Sequence, residues 1–280
     1  MSLDRFDCYE LCVQSPRHVV TFLRALGDAA QIPATVLRED FCGTASVARR
    51  WVEEGERRGE AWQALAIDND EATIAKAREL IKHAVDAGQL HPSRLPALAV
   101  GDCIHSQVQK KEGCDIIFVG NFSIDYIESR KALVQYLRNS KQRLDLGNAG
   151  FGGGCFVCDI YGGASAFRLG ALQRTHPGRG KEIIHYTWLH EEADPRTARV
   201  QNSISFRVVV DGDVVQELPR AFVYQWRLWS LAELRDAMLE AGFSKVEIYK
   251  DINVAPGQSP RPVESPQELG EDWVVCVVAW

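Results

Sequence analysis

The sequence predicts an α/β fold: a doubly wound, mostly parallel sheet carrying an antiparallel β insertion. Three observations support this. Between residues 36 and 160, strand-length apolar runs alternate with segments whose apolar residues recur at threes and fours. The apolar runs stop at polar, glycine-bearing clusters: Glu39 to Gly43, Asp68-Asn69, Gly101-Asp102 and Gly120-Asn121. Between residues 161 and 229 the rhythm changes to alternation at period two, as expected for half-buried antiparallel strands.

Residues 6–27 have helical spacing through Phe6, Leu11, Val19, Phe22, Leu23 and Leu26, and Pro16 divides them into two helices. A strand then begins at residue 35 and ends in the turn of LREDFCGTASVARRW. A helix follows with Val47, Ala48, Trp51 and Val52 on one face. The run from Ala64 to Ile67 is a strand closing on Asp68-Asn69-Asp70, and the next helix carries Ile74, Ala77, Leu80, Ile81 and Ala84 as its stripe. Strands are expected over 95–100 and over CDIIFV, the latter apolar throughout and therefore buried on both faces. A helix over 128–144, the loop GNAGFGGG and the strand CFVCDIY complete this half.

The insertion is expected to contain three strands, around IIHYTWLH, VQNSISFRVVV and VVQELPRAFVYQWRLW. Asp211-Gly212 makes the hairpin between the last two, and a loop bearing Arg168, Arg174, Arg179 and Lys181 precedes them. Ser230 and Glu233 form a capping box for a helix stopped by Gly242, with FSKVEIY and WVVCVVAW as the last strands. The expected organisation is an N-terminal helical lid over 1–35, an α/β core over 36–160 and 230–280, and the insertion over 161–229.

Of the 280 residues, 46% are hydrophobic and 25% charged, the composition of a globular protein with a sizeable core. A net charge of -6 argues against a general nucleic-acid binder, which needs a basic surface. No apolar run has the length of a membrane span, and the N-terminus lacks the order of a secretory signal, so a cytoplasmic protein is expected. Cys155 and Cys158 have CxxC spacing but no second pair. They lie three apart on a strand and so face opposite sides, and no metal site is expected.

The turn after the first strand narrows the chemistry. It carries one glycine, Gly43, so neither GxGxxG nor a P-loop is present, and Glu39 would repel a pyrophosphate. An acid such as Asp68 at the next strand end suits a ribose diol, because one carboxylate accepts from both hydroxyls. Gly101-Asp102-Cys103 offers a carboxylate and backbone amides to an adenine edge. Together these describe a site for a nucleoside bearing positive charge rather than phosphate.

At this point the chain resembles the class I S-adenosylmethionine-dependent methyltransferases. Their acid-then-GxGxG motif is matched loosely by Glu39-Asp-Phe-Cys-Gly43-Thr-Ala45, with Phe41 and Ala45 in place of the outer glycines. AIDND at Asp68, VGDC at Asp102, FVGNFSIDYI at Asn121 and WSLAELRDAMLEAGF follow in the family's order. The resemblance covers residues 36–160 and 230–280. It implies a seven-stranded Rossmann-like sheet and S-adenosyl-L-methionine as cofactor. It also implies that Gly43 approaches the methionine part, that Glu39 binds its ammonium, and that Asp68 holds the ribose with Asn69 near the adenine. Asp102 and Cys103 would read the adenine, and Gly120 and Asn121 would floor the site beside the methyl. Arg38 is placed with the cofactor carboxylate if it faces the ligand; Tyr9, by its position in the N-terminal helices alone, is expected to close over the cofactor as a lid. A Cβ at Ala45 is expected to fit through a negative φ.

Methyl transfer then needs alignment and water exclusion more than a base. Tyr186, Trp188 and His190 alternate on one strand face, as do Phe222, Tyr224 and Trp226. These rows are either the wall of a small-molecule acceptor pocket or the core joining insertion to sheet. His190, His185 and Tyr186 are the candidate bases. Two rivals stay open: a nicotinamide-dependent oxidoreductase on a similar sheet, and a noncatalytic binding module.

Overall fold

The structure is a computed structural model that describes residues 3–109, 113–148, 153–255 and 257–280. Its centre is a seven-stranded sheet in the order β10-β11-β5-β4-β1-β2-β3. The strands are β1 (Val36–Asp40), β2 (Gln63–Asp68), β3 (Ala97–Val100), β4 (Ile116–Val119), β5 (Cys155–Gly163), β10 (Val246–Tyr249) and β11 (Asp272–Ala279). Strands β1 to β5 are parallel, whereas β11 runs antiparallel to both β5 and β10.

Helices α2 (Pro16–Ala30), α3 (Ser46–Arg57) and α4 (Glu71–Asp86) cover one face, packing Leu23, Trp51 and Ile74 against Leu37, Ala66, Phe118 and Val157. Helices α5 (Arg130–Asp145) and α6 (Leu231–Ala241) cover the other, where Leu137 and Met238 meet Ile117, Phe156 and Val277. Burial on both faces explains why β4 is apolar at all four positions. Cys155 and Cys158 fall in opposite layers, as strand alternation requires.

A second, four-stranded antiparallel sheet lies between β5 and α6 in the order β6-β7-β8-β9. Its strands are β6 (Gly170–Pro177), β7 (Ile183–Asp194), β8 (Arg199–Val210) and β9 (Asp213–Arg227). The turn at Asp211-Gly212 joins β8 to β9 with φ of 51° and 97°, the positive values a tight hairpin demands.

Here the sequence reading needs a correction, because β6 occupies part of the expected loop. Its side chains are nearly all exposed and it pairs only with β7, so no buried alternate positions impose a period of two. Pro16 does separate α1 (Arg5–Cys12) from α2. In the loop GNAGFGGG, residues 149–152 lie outside the described residues. No described helix is long and apolar enough to cross a membrane.

Helix α1 joins the two sheets. Leu3, Cys8 and Tyr9 pack into the core of the insertion with Ile204, Phe206 and Trp226. On its polar side, Asp4 pairs with Lys76 of α4 at 2.8 Å, and Asp7 pairs with Arg179 at 2.8 Å. Glu10 reaches α3, where it accepts from Thr44 Oγ1 at 2.5 Å and from Arg49.

At the opposite end of the parallel sheet, Asp115 is wholly buried. Its Oδ2 accepts from the amides of Thr35 and Val36, each at 2.9 Å, and its Oδ1 accepts from the Asn148 amide at 2.7 Å. One carboxylate thereby ties the entry to β1 to the loop after α5. Asp115→Ala leaves three amides without that acceptor, so it is expected to cost about 3 kcal/mol or more in urea-denaturation stability.

Candidate functional site at the carboxyl ends of the strands

Strand alternation divides β1 between the two helical layers. Arg38 and Asp40 point towards α5, where Arg38 Nε donates to Asp40 Oδ1 at 2.8 Å and the Tyr136 hydroxyl donates to Asp40 Oδ2 at 2.8 Å. Arg38 is 1% exposed, so it is not directed at a ligand; it is committed to the buried pair.

Glu39 points the other way, and its Oε2 accepts from the Ala48 amide at 2.8 Å. Helix α3 has Ala45 at its N-cap with no capping side chain, so Glu39 supplies the acceptor that the cap lacks. Burial pushes the Glu39 carboxyl up to about 8, against the opposing hydrogen bond from Ala48. The side chain is thus engaged beneath the turn rather than exposed on it.

Above Glu39 the backbone takes a left-handed conformation at every second residue, with φ of 55° at Phe41, 54° at Gly43 and 55° at Ala45. The negative φ expected at Ala45 is therefore corrected. The chain keeps the trace of a triple-glycine turn with one glycine, at a cost on the order of 1–2 kcal/mol per non-glycine residue. Contacts help hold that strain: Ala45 is fully buried, and Phe41 lies against Tyr126 and Tyr136 at ring separations of 6.3 and 6.2 Å. Among the described residues, no atom beyond its chain neighbours lies within 4 Å of where a Cβ on Gly43 would stand, so the backbone is open to a ligand there.

Asp68 is the hub of the site. Its Oδ2 accepts from the Gly43 amide at 2.9 Å and its Oδ1 from the Asp70 amide at 3.0 Å, while its carbonyl accepts from Gly101 at 2.9 Å. The tips of β1, β2 and β3 therefore meet at this residue. Asn69 beside it is exposed.

Asp102 is also exposed, in a turn where it accepts from the amides of Ile104 and His105 and pairs with the His105 ring at 2.7 Å. Cys103 is buried, its Sγ 3.8 Å from the Ile67 carbonyl, and burial raises its thiol pKa.

At the end of β4, Gly120 sits against the Phe118 ring, with no room for a Cβ. Asn121 and Phe122 follow with φ of 55° and 62°. Asp159 of β5 accepts from both of their amides, at 3.0 and 2.7 Å, and burial pushes its carboxyl up to about 6. Sequence reasoning missed Asp159, Asp115 and Glu10. The signal for the first was an acid within the apolar run FVCDIY.

The inner face of the insertion sheet continues the cleft through a chain of rings. Phe41 neighbours Tyr126, Tyr126 lies 5.9 Å from Trp226, and Trp226 lies 5.8 Å from Trp188 and 4.6 Å from Tyr224. Phe122 stands 4.9 Å from Tyr161, which reaches His190 at 6.1 Å. Tyr9 of α1 packs on Phe222 at 4.9 Å. The aromatic rows divide accordingly: Tyr186 is buried in the insertion's own core beside Phe206, whereas Trp188, His190 and Trp226 approach the strand tips. His185 lies on the other face of β7 beside Thr175.

No protein-family model matches this chain, and no curated protein matches it in sequence. Solved structures do. An S-adenosylmethionine-dependent methyltransferase from Clostridium acetobutylicum superposes with a TM-score of 0.65 at 15% identity, over 97% of this chain and 95% of that one. The chain has the fold of S-adenosylmethionine-dependent methyltransferases. Streptomyces venezuelae DesVI matches with a TM-score of 0.64 at 15% identity, over 100% and 99% of the two chains. CalS10, an amino pentose methyltransferase from Micromonospora echinaspora solved with S-adenosylmethionine bound, matches at 0.64 and 12% identity, over 100% and 98%. This methyltransferase fold therefore spans the insertion as well as the parallel sheet.

A carboxyl whose pKa is raised on folding binds its proton more tightly in the folded state. Its contribution is full below about pH 4.5 and is lost as pH rises towards 8 for Glu39. Glu39→Gln keeps an acceptor for Ala48 and cannot ionise. The variant is expected to fold and to lose stability less steeply than the wild type between pH 5 and 8, measured by urea denaturation; the contribution of Asp159 remains in both. Parallel profiles would remove Glu39 from that pH dependence.

Proposed function

We propose that this chain is an S-adenosylmethionine-dependent methyltransferase acting on a small-molecule acceptor. The observation that carries the reading is the turn over residues 41–45. Its left-handed positions alternate, its Gly43 amide is held by Asp68, and nothing among the described residues covers the Gly43 backbone. Such a turn brings a carboxylate and open backbone to one ligand, and its Cys42, Gly43 and Ala45 amides are already taken by Ile67, Asp68 and Cys42, which leaves few for a pyrophosphate. Support for the acceptor class comes from the solved neighbours that act on small molecules, among them the amino pentose methyltransferase CalS10 and the sugar N-methyltransferase KedS8.

In this reading S-adenosylmethionine supplies the activated methyl group when bound. Asp68 takes the ribose hydroxyls on the lone pairs that the Gly43 and Asp70 amides leave free. Asn69 and Asp102 border the adenine, and the Gly43 backbone borders the amino-acid portion. Thr44 and Arg49, which here meet Glu10 of α1, bring N-terminal helix and turn together at that end. Gly120 and Asn121 form the floor, held by Asp159 through Asn121. The aromatic inner face of the insertion excludes water and aligns the acceptor, the contribution an in-line displacement needs most.

Calorimetric titration with S-adenosylhomocysteine tests the reading, with NADH as the competing ligand. Binding of NADH without S-adenosylhomocysteine would overturn it in favour of a nicotinamide enzyme. Asp68→Ala is expected to weaken S-adenosylhomocysteine binding by about 1–3 kcal/mol. Asp68→Asn, which keeps an acceptor for Gly43, separates loss of the ribose contact from distortion of the turn. Unchanged affinity in both variants removes Asp68 from the role.

A further inference from the structure

One group of polar atoms beside the cleft is left partly unmatched by the fold. His190 of β7 and Asn202 of β8 are direct cross-strand partners on the inner face of the insertion. Asn202 is 0% exposed, and its Nδ2 donates to the Tyr161 hydroxyl at 3.3 Å, while its Oδ1 has no partner among the described residues. Turning the amide over exchanges its two ends and still leaves one of them unmatched. The Nδ1 of His190 is buried and also without a partner among the described residues. Buried polar atoms are almost always paired, because leaving one unpaired costs on the order of 1–3 kcal/mol. Two side by side mark a place that a ligand completes.

The surroundings define that ligand. Tyr161, Trp188 and Trp226 wall the pair, with Tyr161 6.5 Å from Trp188 and 6.4 Å from Trp226. Phe122 links the wall to the end of β4, at 4.9 Å from Tyr161 and 6.0 Å from Trp226. Burial alone lowers the pKa of His190, with no carboxylate or cation contributing, which favours the neutral imidazole. An uncharged pair of hydrogen-bonding groups between aromatic faces suits adjacent hydroxyls on a ring whose C–H faces lie against those rings. The pair itself brings no charge, although the Asp125 carboxyl acts on the neighbouring Tyr161.

We infer that His190 and Asn202, walled by Tyr161, Trp188 and Trp226, form the acceptor subsite and take two hydroxyls of a neutral, polyhydroxylated ring of the saccharide class. The inference deepens the methyltransferase reading and rests on it for the word acceptor; the binding site itself stands on the unmatched atoms.

The test is tryptophan fluorescence of the full chain titrated with methyl glucoside, methyl galactoside and methyl xyloside, with cyclohexylmethanol as the ring lacking hydroxyls. Each titration is run with and without S-adenosylhomocysteine. The expected result is a saturable response to at least one glycoside and none to cyclohexylmethanol. Asn202→Leu and His190→Phe are each expected to weaken the glycoside at least tenfold while leaving calorimetric S-adenosylhomocysteine binding unchanged. If Asn202→Leu lowers the melting temperature, His190→Phe at its partly exposed position decides. The inference is overturned if no glycoside binds, if binding survives both substitutions, or if cyclohexylmethanol binds equally well. Glycoside binding that depends on Asn202 and His190, in a chain that does not bind S-adenosylhomocysteine, supports the subsite and removes the methyltransferase reading alone.

Discussion

Backbone amides in a strand-to-helix turn have left the sheet ladder and not yet entered the helix, and in this protein acidic side chains take them. Glu39 accepts from Ala48, Asp68 from Gly43 and Asp159 from Asn121 and Phe122, while Asp115 does the same at the opposite end of the sheet for Thr35, Val36 and Asn148. Buried donors without such acceptors would each cost on the order of 1–3 kcal/mol. With them, four residues in left-handed conformations without glycine (Phe41, Ala45, Asn121 and Phe122) line the ends of β1 and β4. These acidic side chains thus determine the shape of the cleft whether or not they touch what occupies it.

The same economy of contacts joins the two sheets. Helix α1 packs its apolar side on the insertion, while Asp4 and Glu10 find Lys76 of α4 and Arg49 of α3 in the core and Asp7 finds Arg179 between β6 and β7. Partly buried ion pairs of this kind are modest contributors singly. Together with the packing of Tyr9 on Phe222, they fix a short helix between the insertion and the turn after β1. The aromatic chain from Phe41 through Tyr126 to Trp226 then makes the insertion a continuation of the strand tips.

Much of the architecture was legible because it follows from period and punctuation. Apolar runs such as IIFV read as strands buried on both faces, and the stripe of α4 read as a helix. Ser230 with Glu233 marked the start of α6, and Asp211-Gly212 marked the hairpin. Strand β6 was not legible, since an exposed edge strand bears no pattern from burial. Of the residues proposed for the site, Asp68, Gly43, Gly101 and Asn121 could be placed at the strand ends because the clusters stand where apolar runs stop.

The amino-acid sequence by itself determined the alternating fold, the positions of its turns and the gathering of acids at strand ends, because these depend on local spacing. The tertiary structure alone decided what each side chain does there. Alternation along β1 sends Arg38 and Asp40 to α5 and Glu39 to α3, and that assignment depends on which helix covers which face. The backbone at Ala45 is left-handed because neighbouring segments hold it so, against the preference of the residue. His190 and Asn202, twelve positions apart in the chain, become partners only through the register of β7 on β8. Local propensity contains no information about contacts of that range.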